Sequence, residues 1–198
     1  MTLGVIIAVA TALPLLWFVA TYNRLVRIRQ HVHESWADID TELKRRYELV
    51  PNLVEAVRGY AAHERALLTA VTDARARAMA STGSPGRQAA DEQPLVAEVR
   101  RLLAVAEDYP GLKASRHFLE LQRELTRTED RIQRSRRFYN GNVRALNSLV
   151  QEVPSNVVAR ALGFAAAEYF EVESSVVRSV VDVSFDEPAA PPEGEPGN

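Results

Sequence analysis

Cysteine is missing from all 198 residues, and lysine nearly so, Lys44 and Lys113 being the only two. Without thiols there is no disulfide, no thiolate metal site and no cysteine nucleophile. Charge of one sign is also scarce, the formal net charge being -2. Five acids (Asp182, Asp186, Glu187, Glu193 and Glu195) lie beyond Val181 with no basic residue among them, which leaves the rest of the chain at a mild +3. Nucleic-acid binders concentrate far more positive charge on one face, so no nucleic-acid partner is expected. The four histidines carry no metal signature: the residues three before His31, His33, His63 and His117 are Ile28, Gln30, Tyr60 and Ala114, not the glutamates of a di-metal bundle. His31 and His33 point to different sides of a helix, and no His-Glu-x-x-His run occurs. A Gly-x-Ser-x-Gly elbow and a phosphate-cradling glycine loop are equally missing. No cofactor is expected, and an enzyme is the least favoured class.

Only one long hydrophobic run is present, LGVIIAVATALPLLWFVA from Leu3 to Ala20, uncharged over 18 residues. As a helix it is about 27 Å long, nearly the thickness of a hydrocarbon core. Pro14 is tolerable there, and Trp17 and Tyr22 stand near one end as interfacial anchors. A cleaved signal peptide is the competing explanation, but there is no basic segment before the run, and Phe18 breaks the small-residue pattern before Ala20. Residues 1–21 are therefore expected to be a single-pass anchor in the cell membrane. Arg24, Arg27 and Arg29 follow at once, with no Lys or Arg ahead of the run, which places the following domain in the cytoplasm.

Beyond the anchor the apolar period is helical. Trp36, Ile39, Leu43, Val50, Leu53, Val57, Tyr60, Leu67, Val71 and Ala74 recur at three-and-four spacing. The phase is unbroken across Pro51, so residues 22–80 are expected to be one kinked helix, a hairpin at Pro51 being the alternative. STGSPG at Ser81–Gly86 reads as a loop. Further helices are expected over about 91–107, capped by Asp91 with Pro94 in the first turn, over 115–152, capped by Ser115, and over 155–162. Residues 166–185 alternate weakly and are expected to lie extended along the bundle, while the acidic, Pro/Gly-rich residues 186–198 read as disordered. The fold class is all-α: an antiparallel bundle of long helices, four-helix-bundle-like, over residues 22–165, following a single transmembrane helix.

Polar residues inside this pattern are the candidate sites. Thr128, Ser135 and Asn142 share the heptad frame of the longest helix and are expected to set register through bonds across the bundle. Tyr60, His63 and Glu64 are spaced to share one helical face, as a polar network facing the next helix rather than a general base. Arg131, Arg134, Arg136 and Arg137 crowd together beside Glu129 and Asp130, and Arg45 and Arg46 precede Tyr47 and Glu48. Interhelical ion pairs explain these mixed signs better than a partner-binding patch, for which Arg134 and Arg137 are the candidates.

YNRLVRIR, SWADIDTELKRRYELVPNLVEAVRGYAAHE, EDYPGLKAS, FLELQRELTRTEDRIQRSRRFYNGNVRALN, PSNVVARALGF and EYFEVE, in that order over about residues 20–175, resemble the LemA family. The resemblance implies an N-terminal membrane helix, an antiparallel bundle of long helices and a bacterial envelope protein without an established enzymatic activity. Some relatives are linked to magnetosome membranes and others are encoded beside membrane proteases. Gly141-Asn142 departs from the family pattern, where a helix-favouring pair is commoner, and Gly141 costs about 1 kcal/mol of helix stability relative to Ala. Two functions are expected from the whole: a membrane-anchored scaffold or adaptor for another envelope protein, or a lipid-engaging, membrane-shaping module using Arg24, Arg27 and Arg29. The bilayer is a partner in both. A heptad seam closes within one chain or between chains with the same period, so a homo-oligomer stays open.

Overall fold

The computed structural model describes residues 2–171; residues 172–185 of the expected extended segment and the tail 186–198 lie outside the described residues. Among the described residues six helices follow one another: α1 (Thr2–Arg58), α2 (Arg65–Ala80), α3 (Pro85–Ala106), the single turn α4 (Pro110–Lys113), α5 (Arg116–Gln151) and α6 (Ser155–Ala161). No strand occurs among the described residues. The long helices alternate in direction. Tyr47 on α1 meets Ala78 on α2, and Ala78 meets Gln88 on α3. On the α1–α5 seam Arg45 pairs with Glu124, whereas Ser35 pairs with Asn142, so these two helices also run antiparallel. The chain is an all-α, up-down-up-down bundle.

α1 carries the architecture. Its 57 residues make a rod about 85 Å long. The apolar window near its start is long and apolar enough to cross a membrane, and none of it is buried by the rest of the protein. Burial begins at Thr21 and Leu25 and then follows the heptad phase through Val32, Ile39, Leu43, Val50, Leu53 and Val57. The unpacked segment and the first core helix are thus one uninterrupted helix.

Pro51 lies inside α1 and does not end it, so there is no hairpin at that point. A proline has no amide to donate, so the carbonyl four residues earlier, that of Tyr47, loses its helical partner. Arg75 on α2 supplies the replacement, its Nε donating to the Tyr47 carbonyl at 2.6 Å. The reversal comes later. α1 stops at Arg58, and Gly59–Glu64 turn the chain so that α2 packs back on α1. The single helix expected over 22–80 is therefore two helices. Their apolar phase runs through the turn unbroken because Val57, Ala61, Leu67, Leu68 and Val71 all face the same core.

α3 begins at Pro85, not near Asp91. Ser84 is extended at the N-cap and Pro85 takes the first position, where a missing amide costs nothing. Pro94 then lies inside the helix, and the carbonyl it frees belongs to Ala90, which is exposed to water. The loop is accordingly shorter than Ser81–Gly86. Asp91 instead accepts a 2.6 Å bond from the Ser81 hydroxyl and braces the turn from within the helix.

α2 and α3 flank only the part of the α1–α5 pair that lies far from the apolar end. Nearer that end, the segment after α6 closes the seam. Gly163, at φ +71°, ends α6 with Phe164 N–H donating back to the Ala159 carbonyl and Gly163 N–H to that of Arg160. The chain then climbs α5 in extended form. Asn147 accepts from the Ala167 amide at 2.8 Å and donates to the Ala167 carbonyl at 3.0 Å. Asn140 accepts from the Phe170 amide at 2.9 Å and bonds its carbonyl at 3.5 Å. Two side-chain amides one heptad apart thus take the place of a neighbouring strand, while Phe164 and Phe170 are buried in the groove.

The Pro51 arrangement is open to a double-mutant cycle. Arg75→Met is expected to destabilise the chain by about 1–3 kcal/mol by stranding the Tyr47 carbonyl. Adding Pro51→Ala, which restores an amide to that carbonyl, should recover most of the loss in chemical denaturation of the detergent-solubilised protein.

Candidate functional site

The heptad phase brings one pair of opposite charges into the centre of the bundle. Arg46 follows Leu43 and precedes Val50 on the buried stripe of α1, and Glu92 lies between Gln88 and Leu95 on that of α3. Arg46 is 2% exposed and Glu92 5%. One arm of the Arg46 guanidinium donates to Glu92 Oε2, and the other donates to both oxygens of Glu129 on α5, at 3.0 and 3.2 Å. The second Glu92 oxygen accepts from the Tyr47 hydroxyl and from the Gln88 amide, the latter at 2.9 Å. Gln88 also donates to the Ala78 carbonyl at 3.3 Å, so α1, α2, α3 and α5 all meet here. Burial, followed by the bond to Glu92 and its charge, raises the Tyr47 phenol well above the ordinary tyrosine range. It is held as a hydrogen-bond donor.

A cavity of about 260 Å³ opens beside this node, lined by Arg46, Glu92, Arg100, Glu129, Gln133 and Arg136 among others. Outside it a second set of charges stitches α1 to α5. Arg45 pairs with Glu124, which also meets Arg131 at 3.3 Å, and Arg131 lies 3.4 Å from Glu42. Among the described residues no three His, Asp or Glu side chains converge to hold a metal ion. The charges of the node and of this second set tie the four helices together.

The residues singled out from sequence fall in different places. Asn142 bonds across the α1–α5 seam, to the Ser35 hydroxyl and the His31 carbonyl, both at 3.2 Å. Thr128 is fully buried, but its hydroxyl donates to its own helix at the Glu124 carbonyl, and Ser135 lines a shallow groove with Asp38, Glu42 and Arg131. Tyr60, His63 and Glu64 do not share a helical face. Gly59 and the reversal put them in the α1–α2 connection, with Tyr60 and His63 exposed and Tyr60 lying over Gly111 at the far end of the bundle. Arg24, Arg27 and Arg29 are exposed on the turns just after the apolar run, Arg29 stacking its guanidinium 4.7 Å from the Phe164 ring. Arg134 and Arg137 are exposed on α5.

The reading of Arg46 as an interhelical ion-pair residue holds, but its partner Glu92, the Gln88 bonded to that carboxylate and the Asn140/Asn147 pair were not named from sequence. Both left a signal. Arginine and glutamate occupy buried-phase positions on separate helices, and the two asparagines are seven residues apart on α5.

Taken together, an unpacked apolar stretch continuous with a four-helix bundle, tied at its centre by a buried polar node, defines a helical-bundle protein built on one membrane-competent helix. The chain belongs to the LemA family, whose model matches residues 35–185. It is 26% identical to Protein LemA of Metamycoplasma hominis, over 84% of this chain and 76% of that protein. It is also 26% identical to Magnetosome protein MamQ 2 of Paramagnetospirillum magneticum, over 82% and 71% respectively. Magnetosome protein MamQ of Magnetospirillum gryphiswaldense is 24% identical over 81% and 70%. None of these names denotes an enzyme.

Two outcomes test the node and its neighbour. Arg46→Met, which strands the buried Glu92 carboxylate, is expected to cost about 3–5 kcal/mol, and adding Glu92→Leu should restore most of it; denaturant titration reads both. Tyr139 donates to the Glu168 carbonyl at 2.8 Å, and burial, then the Glu168 charge, pushes its phenol up to about 12. A raised phenol favours the folded state fully below the ordinary value near 10, and that contribution is lost as pH rises through the folded value. Thermal denaturation between pH 10 and 12 should therefore fall less steeply for Tyr139→Phe than for the parent.

Proposed function

We propose that this protein is a single-pass, membrane-anchored scaffold or adaptor that presents a rigid helical head to another protein of the bacterial envelope. One observation carries the proposal: the apolar, unburied start of α1 passes into the bundle core with no break in the helix, so anchor and head form a single element. Such a device holds a surface at a fixed orientation to the membrane. The polar node supports the same view, since its charges are spent on each other and on positioning helices. The relatives' names, Protein LemA and Magnetosome protein MamQ, are not enzyme names. Arg24, Arg27 and Arg29 directly after the apolar run favour a cytoplasmic head. Arg134 and Arg137, exposed on the outer side of α5, are the candidate contacts for the partner.

Those same three arginines favour a second reading, a lipid-engaging module, because each basic residue at an anionic surface is attracted by about 1 kcal/mol. Photocrosslinkers placed at Arg134 and Arg137 in native membranes distinguish the two. A scaffold yields the same partner from both positions in repeated experiments, while recovery of only bulk abundant proteins overturns it.

A further inference from the structure

α6 has two faces with opposite surroundings. Val158 and Ala159 are buried, in a helix that packs against both α1 and α5. Val153, Val157 and Leu162 are 81%, 65% and 43% exposed, and Ala161 is exposed beside them. Val157 and Ala161 are four residues apart on one helical face, and Val153 sits in the turn just before them.

Their position in the molecule says what covers them. On the α1–α5 seam Trp36 stacks against Tyr139, and Asn142 bonds Ser35. Carrying that pairing on brings the end of α5 roughly level with residues 24–26 of α1. Past that level the Phe164 ring meets Tyr22 at 6.2 Å. The uncharged run ends at Ala20, so with Leu3–Ala20 filling the hydrocarbon, Tyr22 stands in the headgroup layer. α6 packs on α1, and its Ala159 carbonyl accepts from the amide of the same Phe164, so it stands at this level too.

We infer that α6 and the turn before it lie in the bilayer interface as a second, peripheral membrane contact. Val153, Val157 and Leu162 enter the boundary of the acyl chains, while Arg24, Arg27 and Arg160 face anionic headgroups. Three aliphatic side chains are far too small a patch for a stable protein interface, which buries roughly 800 Å² on each partner. They suit a lipid surface that the anchor already brings within reach. The contact rests on α1 spanning the bilayer and would give the head two points of attachment in place of one.

The cysteine-free chain makes the test direct. Single-cysteine variants of the full chain, Val157→Cys and Val153→Cys, are labelled with an environment-sensitive fluorophore and reconstituted in phosphatidylcholine vesicles with and without phosphatidylglycerol. Val9→Cys in the apolar run and His117→Cys at the start of α5 serve as controls, and far-UV dichroism checks that each variant keeps its helices. Labels at 153 and 157 are expected to lose about two-fold in intensity to lipids carrying a nitroxide at a shallow acyl position, more so with phosphatidylglycerol, while the label at 117 is unaffected. Quenching of 153 and 157 by aqueous iodide alone, to the same extent as 117, overturns the contact and leaves the anchor standing. Shielding from both quenchers assigns the row to protein, a second copy included, and overturns it equally. A label at position 9 that lipid nitroxides fail to quench removes the spanning helix itself, and the contact with it.

Discussion

A carboxylate removed from water must have its lost hydration replaced by donors of the protein. Glu92 meets that condition through three groups on two helices, the Arg46 guanidinium and Tyr47 hydroxyl from α1 and the Gln88 amide from its own helix. Sliding α1 past α3 by even one turn would leave the carboxylate facing aliphatic side chains. The remaining order follows from this constraint. Arg46 draws Glu129 and with it α5, and Gln88 reaches the Ala78 carbonyl and so fixes where α2 ends. A core of Leu, Val and Ala packs acceptably in several registers, whereas the Glu92 carboxylate meets its three donors in one. Its contribution is therefore uniqueness more than net stability.

The lower half of the bundle solves a different problem with weaker forces. There α1 and α5 run together without α2 and α3, and a two-helix seam leaves apolar side chains uncovered. Residues 164–171 cover them, but an extended chain brings unpaired amides and carbonyls into a groove that water cannot fully reach. Asn140 and Asn147 answer both donors and acceptors, because a primary amide has the same paired geometry as a peptide group. Phe164 and Phe170 then close the groove without loss. Charge organises one half of the molecule, and neutral amide pairing the other.

Much of this was legible in the residues. The all-α class follows from the period alone, and the apolar run, Ser115 and the family blocks lie open to view. What sequence could not fix was where the direction reverses. A periodic stripe records only that residues face a core, and Val57 and Leu67 face the same core from two antiparallel helices. Pro51 offers a breaker within that stripe, yet Arg75, distant in sequence, supplies a partner for the carbonyl it frees. Pro94 likewise lies inside α3 and does not mark its start, the carbonyl it frees belonging to the exposed residue Ala90. The partners of Arg46 are hidden for a related reason: mixed charges indicate an interhelical ion pair, but not which stripes touch, and Glu92 lies on a helix reached only after two reversals.

The unbroken course of α1 has a mechanical consequence. With no hinge between the apolar third and the head, the helix is a lever whose fulcrum is the bilayer. Membrane helices commonly tilt by about 20°, and on a head rising some 55 Å along α1 such a tilt displaces the far loop sideways by about 20 Å. A change in membrane thickness that alters the tilt is thereby magnified at the end carrying Tyr60 and α4. The length of the rod sets the gain, and the absence of a joint keeps the motion from being absorbed on the way.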